Sequence, residues 1–249
     1  MWDRPSWLNQ ISAILIILSL LTYLTAAWSW VKHQPSFSIS QVFIQGYWHH
    51  IDLQQLKEIA ANSVYGNFFA VNLDHLRCSF ELIPWVSHVT VKRMWPWKIF
   101  IVLSEYIPDA RWGKDYLLSR DGVLFSGTVE GDLPVLVGPE GTHQEMLKAY
   151  NQLEEILEPV DLYISKIYLS PTYSWDVFLK NGTVLHVGSD FKQDPAIVRV
   201  KRFVESYKVI KVDKNKIKSV DLRYPNGFAV HFNKGSEITG RILLKRGYG

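Results

Sequence analysis

From Pro5 through Val31 the chain carries no formal charge, and Ile11 to Val31 (ISAILIILSLLTYLTAAWSWV) is apolar almost throughout. At about 1.5 Å per residue, about 21 residues make a helix of about 30 Å, the thickness of a bilayer's hydrocarbon core. The pattern predicts a membrane-spanning helix over 11–31 behind a tail of residues 1–10. Trp2 and Trp7 before the run, with Trp28 and Trp30 at its end, suit amphipathic rings at the two headgroup interfaces. A cleaved secretory signal is the competing reading. Such a signal has a shorter apolar core and small residues at its cleavage site, whereas Thr25-Ala26-Ala27 is a poor match.

Beyond the polar stretch Lys32 to Ser36 the rhythm changes twice. Ser38 to Gln45 alternates as a strand that Gly46 ends, and Asp52 and Gln55 form a capping box opening a helix whose stripe is Leu53, Leu56, Ile59 and Ala60. Asn72 caps a second helix, with Leu73, Leu76, Phe80 and Ile83 on one face and Pro84 as its stop. Two strands follow. Val86 to Trp95 carries Ser87, His88, Thr90, Lys92 and Arg93, which suits a sheet edge; Ile99 to Leu103 is apolar on both faces, which suits the centre. Residues 37–106 therefore read β-α-α-β-β.

The second block, 107–235, is richer in strands. Tyr116 to Ser119 and Val123 to Phe125 flank an Asp121-Gly122 turn. Thr142 and Glu145 read as a capping box for a helix with Met146, Ala149, Tyr150, Leu153, Ile156 and Leu157 on one face, ended by Pro159. Strands are expected at Ile164 to Leu169, Trp175 to Leu179 and Thr183 to Val187, the last two around Asn181-Gly182. Asp194-Pro195 starts another helix through Val198, Phe203 and Val204. Ile217 to Leu222 and Phe228 to Phe232 close the block, and residues 236–249 read as a tail. The fold class is α+β: one membrane helix, a β-α-α-β-β domain, and a mixed sheet with helices on one face.

Composition narrows the function by exclusion. With 27 basic and 24 acidic residues, a formal charge of +3 is too balanced for a dedicated nucleic-acid binder. One cysteine, Cys78, forbids an internal disulfide and any multi-cysteine metal site; its simplest role is that of a small buried apolar residue. His75 three positions earlier offers the geometry of a nucleophile pair, which an amphipathic helix also produces by accident. His49-His50 has no neighbouring Cys or carboxylate pair to complete a metal site and reads as surface polarity. Nucleophile-elbow, phosphate-loop, dinucleotide-fold and zincin signatures are absent. Catalysis, metal and cofactor all lack the residues they need.

Two aromatic or basic clusters remain. Trp95-Pro96-Trp97 beside Lys92, Arg93 and Lys98 resembles a base-stacking platform, but a turn joining two strands accounts for it. Lys208, Lys211, Lys214, Lys216 and Lys218 read as a solvated connection. Sheet edges offer the other route to recognition, since an edge strand leaves alternate N–H and C=O groups free for an extended segment of another protein. Val86 to Trp95 and Phe228 to Phe232 are the two candidates, with ordinary core pairing as the alternative for both.

The strings Ile83-Pro84-Trp85-Val86, Val91-Lys92-Arg93-Met94-Trp95-Pro96 and Ser104 to Trp112 resemble the FtsQ/DivIB family of bacterial cell-division proteins, whose first domain is a POTRA domain. Pro134-Val135-Leu136 with Gly138-Pro139-Glu140-Gly141, and Ser219 to Tyr224 with Gly227, continue the likeness in order. The resemblance implies a non-catalytic, single-pass inner-membrane scaffold at the division septum, with residues 1–10 cytoplasmic and the bulk periplasmic. Its implied partners are FtsB and FtsL. The positions carried over are Arg223, Tyr224, Gly227 and Phe232 for FtsB, and His88, Val91 and Arg93 for the POTRA edge. Thr172-Tyr173 stands where the family can carry arginines, and Phe232 where it can carry a tryptophan. A membrane-anchored POTRA component of protein transport or outer-membrane assembly is the alternative, though the chain has no room for a barrel.

Overall fold

A computed structural model of the chain describes residues 5–34, 37–64, 66–190, 195–208, 217–225, 227–233 and 241–243. It divides into two compact units, 1–106 and 107–249. Trp2, Asp194 and the lysines 211, 214 and 216 lie outside the described residues.

The first unit opens with α1 (Pro5–His33), whose stretch Asn9–Val31 is long and apolar enough to cross a membrane. The Asn67 amide donates to the carbonyls of Val31 at 2.8 Å and Gln34 at 2.9 Å, which ties the loop after α2 to the end of α1. Next come β1 (Gln41–Tyr47), α2 (Leu53–Ser63), α3 (Leu73–Glu81), β2 (Val86–Met94) and β3 (Lys98–Glu105). The sheet order is β1-β3-β2, with β1 parallel and β2 antiparallel to β3, so the polar strand is at an edge and the apolar strand central. Ile99, Ile101 and Leu103 of β3 are buried with Leu56, Leu76 and Phe80 of the two helices. Asp52 accepts from the Gln54 amide, and Asn72 from those of Asp74 and His75, which fixes both helix starts.

Two expectations for this unit change. Gly46 lies within β1, because a Cβ there would stand 2.2 Å from the Leu103 carbonyl oxygen; the glycine permits strand contact and does not end the strand. Cys78 is exposed, since Leu76 and Phe80 fill the buried face of α3 and leave it on the outer side.

In the second unit, β4 (Pro108–Trp112), β5 (Tyr116–Ser119), β6 (Leu124–Ser126), β7 (Val135–Val137), β8 (Ile164–Leu169), β9 (Ser174–Leu179), β10 (Val184–Ser189), β11 (Ile217–Asp221), β12 (Gly227–Phe232) and β13 (Arg241–Leu243) form one sheet. Its order is β13-β12-β11-β10-β9-β8-β7-β4-β5-β6. The helices α4 (His143–Leu157) and α5 (Ala196–Tyr207) touch each other and contribute Met146, Leu153, Leu157, Val200 and Phe203 to one core with Leu136, Ile167, Val177, Leu185, Val220 and Phe228.

The helix starts in this unit differ from those read in the sequence. The Thr142 hydroxyl donates to the Pro139 carbonyl at 2.7 Å and makes no cap bond, because the tight turn before it offers a nearer partner. At α5, Pro195 occupies the N-cap position and Asp190 accepts from the Ala196 amide at 2.8 Å. The larger correction concerns the last strands. Phe228 to Phe232 does not form the sheet edge: β13, within the stretch read as a tail, pairs antiparallel with Gly227, Phe228 and Ala229.

Candidate partner-binding surfaces

The corner between β11 and β12 is built on Asp221. Its carboxylate accepts from the Arg223 main-chain N–H at 3.1 Å, from Nε at 2.9 Å and from Nη2 at 2.6 Å, so one side chain turns the chain and grips the arginine in a forked, charge-assisted pair. These hydrogen bonds hold the Asp221 carboxyl below its ordinary pKa against the opposing effect of burial, and His186 adds to the lowering. The Leu222 amide donates to the His186 carbonyl at 2.9 Å, and Arg202 of α5 donates to the Pro225 carbonyl at 2.8 Å. Tyr224 is 43% exposed on this braced turn.

Arg223, Tyr224 and Gly227 thus share one corner. Phe232 does not join them. It pairs with Ile217 at the far end of β12, about 17 Å away at about 3.4 Å per residue, and it packs half-buried against the core. It follows Phe228 and Val230 on the inward face, apart from the corner that holds the other three positions carried over for FtsB. Gly227 is buried, and its backbone lies opposite Leu243.

The β2 edge also divides its candidates. Val91 and Arg93 lie opposite the buried Ile101 and Ile99 on the helix-covered face, while His88 lies opposite Ser104 on the other face, beside Thr90 at 3.2 Å. Arg93 Nε donates to the Phe68 carbonyl at 2.9 Å and Nη2 to that of Val71 at 2.7 Å. It is a clamp on the loop between α2 and α3.

Sequence reading missed two polar clusters. The Asp176 carboxylate of β9 accepts from the His186 Nδ1–H at 2.8 Å, and His186 is in register with Asp221, so Asp176, His186 and Asp221 stand side by side across three strands. Their alternate positions in successive strands were the available signal, but strand register had to be known first. In the first unit Glu105 accepts from the amides of His49 and His50 at 2.7 and 3.0 Å and lies 3.0 Å from His50 Nδ1, while the His50 ring stacks on Trp85 at 4.0 Å. The histidine pair is therefore a braced turn.

A three-stranded sheet backed by two helices, following a long apolar helix and preceding a mixed β-sheet unit, defines a POTRA-type protein with a second β-domain. The family model "POTRA domain, FtsQ-type" matches residues 37–106, and "Cell division protein FtsQ/DivIB, C-terminal" matches 110–223. The chain is 35% identical to the cell division protein FtsQ of Burkholderia pseudomallei over 234 residues, covering 92% of this chain and 94% of that protein. It is 31% identical to FtsQ of Bordetella pertussis over 252 residues, covering 92% of each, and 31% identical to FtsQ of Nitrosospira multiformis over 235 residues, covering 92% and 98%. The chain belongs to the FtsQ/DivIB family of cell division proteins.

Proposed function

We propose that this protein is a non-catalytic scaffold of the division machinery, anchored in the inner membrane by α1, with both folded units periplasmic and at the septum. Its β-domain holds FtsB, and with it FtsL, by strand addition beside β12, and Arg223 and Tyr224 supply the side-chain contacts at the corner. The observation that carries this reading is the outer side of β12: it takes an antiparallel strand, Arg241–Leu243 pairing there with Gly227 to Ala229. Such an edge gives a partner strand main-chain hydrogen bonds, with selectivity from alternate side chains. Arg223 remains 63% exposed in its side chain despite its pairing with Asp221, and suits an acidic residue of the partner.

In the POTRA domain, His88 on the open sheet face is the residue retained for contact with other division proteins. Val91 and Arg93 support it through the fold. The test is binding of the periplasmic segment of FtsB to the full chain in detergent, measured by calorimetry. Saturable binding that Tyr224→Ala weakens supports the reading; equal affinity for both chains, or none for either, removes it.

A further inference from the structure

The turn between β2 and β3 puts apolar surface where a water-facing hairpin ordinarily puts polar residues: Met94 is 43% and Trp95 77% exposed. Lys92 and Lys98 flank the tip, one on each strand. The tip is held in a fixed shape. Trp97 has φ 53°, a left-handed conformation that is costly for a bulky residue, and its carbonyl accepts from the Ser40 amide at 2.8 Å. Its ring lies 4.9 Å from that of Phe37, 5.5 Å from Phe68 and 5.9 Å from Phe69, and Trp95 lies 6.5 Å from it in turn.

This ring cluster continues directly from α1. Asn67 ties the loop that carries Phe68 and Phe69 to the carbonyls of Val31 and Gln34, and the Phe69 ring lies 6.4 Å from that of Trp28. Trp28 belongs to the apolar stretch Asn9–Val31, about 4.5 Å before its end at about 1.5 Å per residue. A tryptophan at that depth marks the headgroup boundary of a membrane crossed by α1. Phe69 and Trp97 carry the same boundary sideways to Trp95.

We propose that the Met94–Trp97 tip is a second membrane contact, seated in the headgroup region of the bilayer that α1 crosses, with Lys92 and Lys98 toward anionic lipid headgroups. Indole rings and lysines are the residue types that favour this layer, the first for its mixed polarity and the second for its negative surface potential. Two contacts on one rigid unit fix how the POTRA sheet stands on the membrane, which a single helix and a short connection leave free. The proposal rests on the reading of α1 as a membrane span.

The test uses spin labels on the full chain, in a Cys78→Ser background, reconstituted into phosphatidylethanolamine vesicles with a minority of phosphatidylglycerol. The protein is dilute enough to keep copies apart. Single labels at Leu20→Cys, Met94→Cys and Tyr47→Cys are compared for collision with oxygen, which concentrates in lipid, and with a water-soluble nickel chelate. Tyr47 is 94% exposed at the end of β1 away from the turn and is the aqueous reference. The expected result is a deep label at Leu20 and an interfacial one at Met94, with Trp95→Asp shifting the Met94 label to the aqueous value of Tyr47. A deep Leu20 with an aqueous Met94 overturns the proposal while the anchor stands, and leaves the tip to a protein partner. An aqueous Leu20 overturns the anchor and the proposal together. An interfacial Met94 that Trp95→Asp does not move overturns the role given to the tryptophan.

Discussion

Gly227 and Leu243 stand opposite each other in the antiparallel pairing of β12 with β13, so the chain lays a strand of its own along the edge proposed for FtsB. Two strands cannot occupy one edge, and the affinity of the partner is lowered by the fraction of molecules in which β13 is docked. Ending the chain after Asn233 should therefore tighten FtsB binding. If β13 is docked in about nine molecules of ten, the gain is about tenfold. Calorimetry on the shortened and full chains checks this, and weaker binding by the shortened chain would mean that β13 belongs to the docking surface.

Tyr224 and Phe232 should behave differently on truncation. Tyr224 is 43% exposed on a braced turn, so Tyr224→Ala should leave the melting temperature near that of the wild type and cost about 2 kcal/mol in FtsB binding, roughly thirtyfold. Phe232 packs half-buried against the core, so Phe232→Ala should cost about 2 kcal/mol of stability first, and affinity only as a consequence. Paired melting and binding measurements separate the two. A Phe232→Ala chain with unchanged melting and lost binding would restore that residue to the interface.

Much of this fold was legible because its signals are local. The unbroken apolar run from Ile99 to Leu103 that marks the central strand under two amphipathic helices is visible in the sequence, as are Asn72 and Asp52 as caps. What escaped depends on contacts between distant segments. β7 and β13 are three residues each, too short for any periodicity, and exist because β4 and β8 in one case, and β12 in the other, lie beside them. Phe232 has the same alternating pattern whether it faces a core or a partner. Arg93 looks like a solvated edge charge until the fold brings the Phe68 and Val71 carbonyls within its reach.

Arg93 therefore carries a stability prediction. Arg93→Ala removes two charge-assisted hydrogen bonds to main-chain carbonyls and should destabilise the POTRA domain by about 1–3 kcal/mol. Arg93→Glu should cost more, because a carboxylate faces the same two acceptors. Arg93→Lys keeps the charge but not the fork, and should fall between the wild type and alanine. Thermal unfolding ranks the three. Septal localisation becomes interpretable for Arg93 only in a variant that melts like the wild type, and a wild-type melting curve for Arg93→Glu would contradict the clamp.

The Asp221–Arg223 pair predicts an acid limb of stability in the β-domain. Because the arginine's hydrogen bonds depress the folded carboxyl's pKa, the ionised form is favoured by folding, and the pair contributes its full share above the unfolded value of about 3.9. As pH falls through that value and on through the lower folded one, the folded state must give up a favoured charge and the contribution disappears. Asp221→Asn never holds that charge. The gap in unfolding free energy between wild type and Asp221→Asn should therefore be widest near pH 7 and shrink below about pH 4. Denaturant unfolding of both chains at pH 7 and pH 3 measures it, and carboxylates elsewhere cancel in the difference because they are common to both. A gap of equal size at the two pH values would assign the effect of Asp221→Asn to lost packing of the β11–β12 corner, and the ion pair would have no part in holding Arg223 and Tyr224 in place.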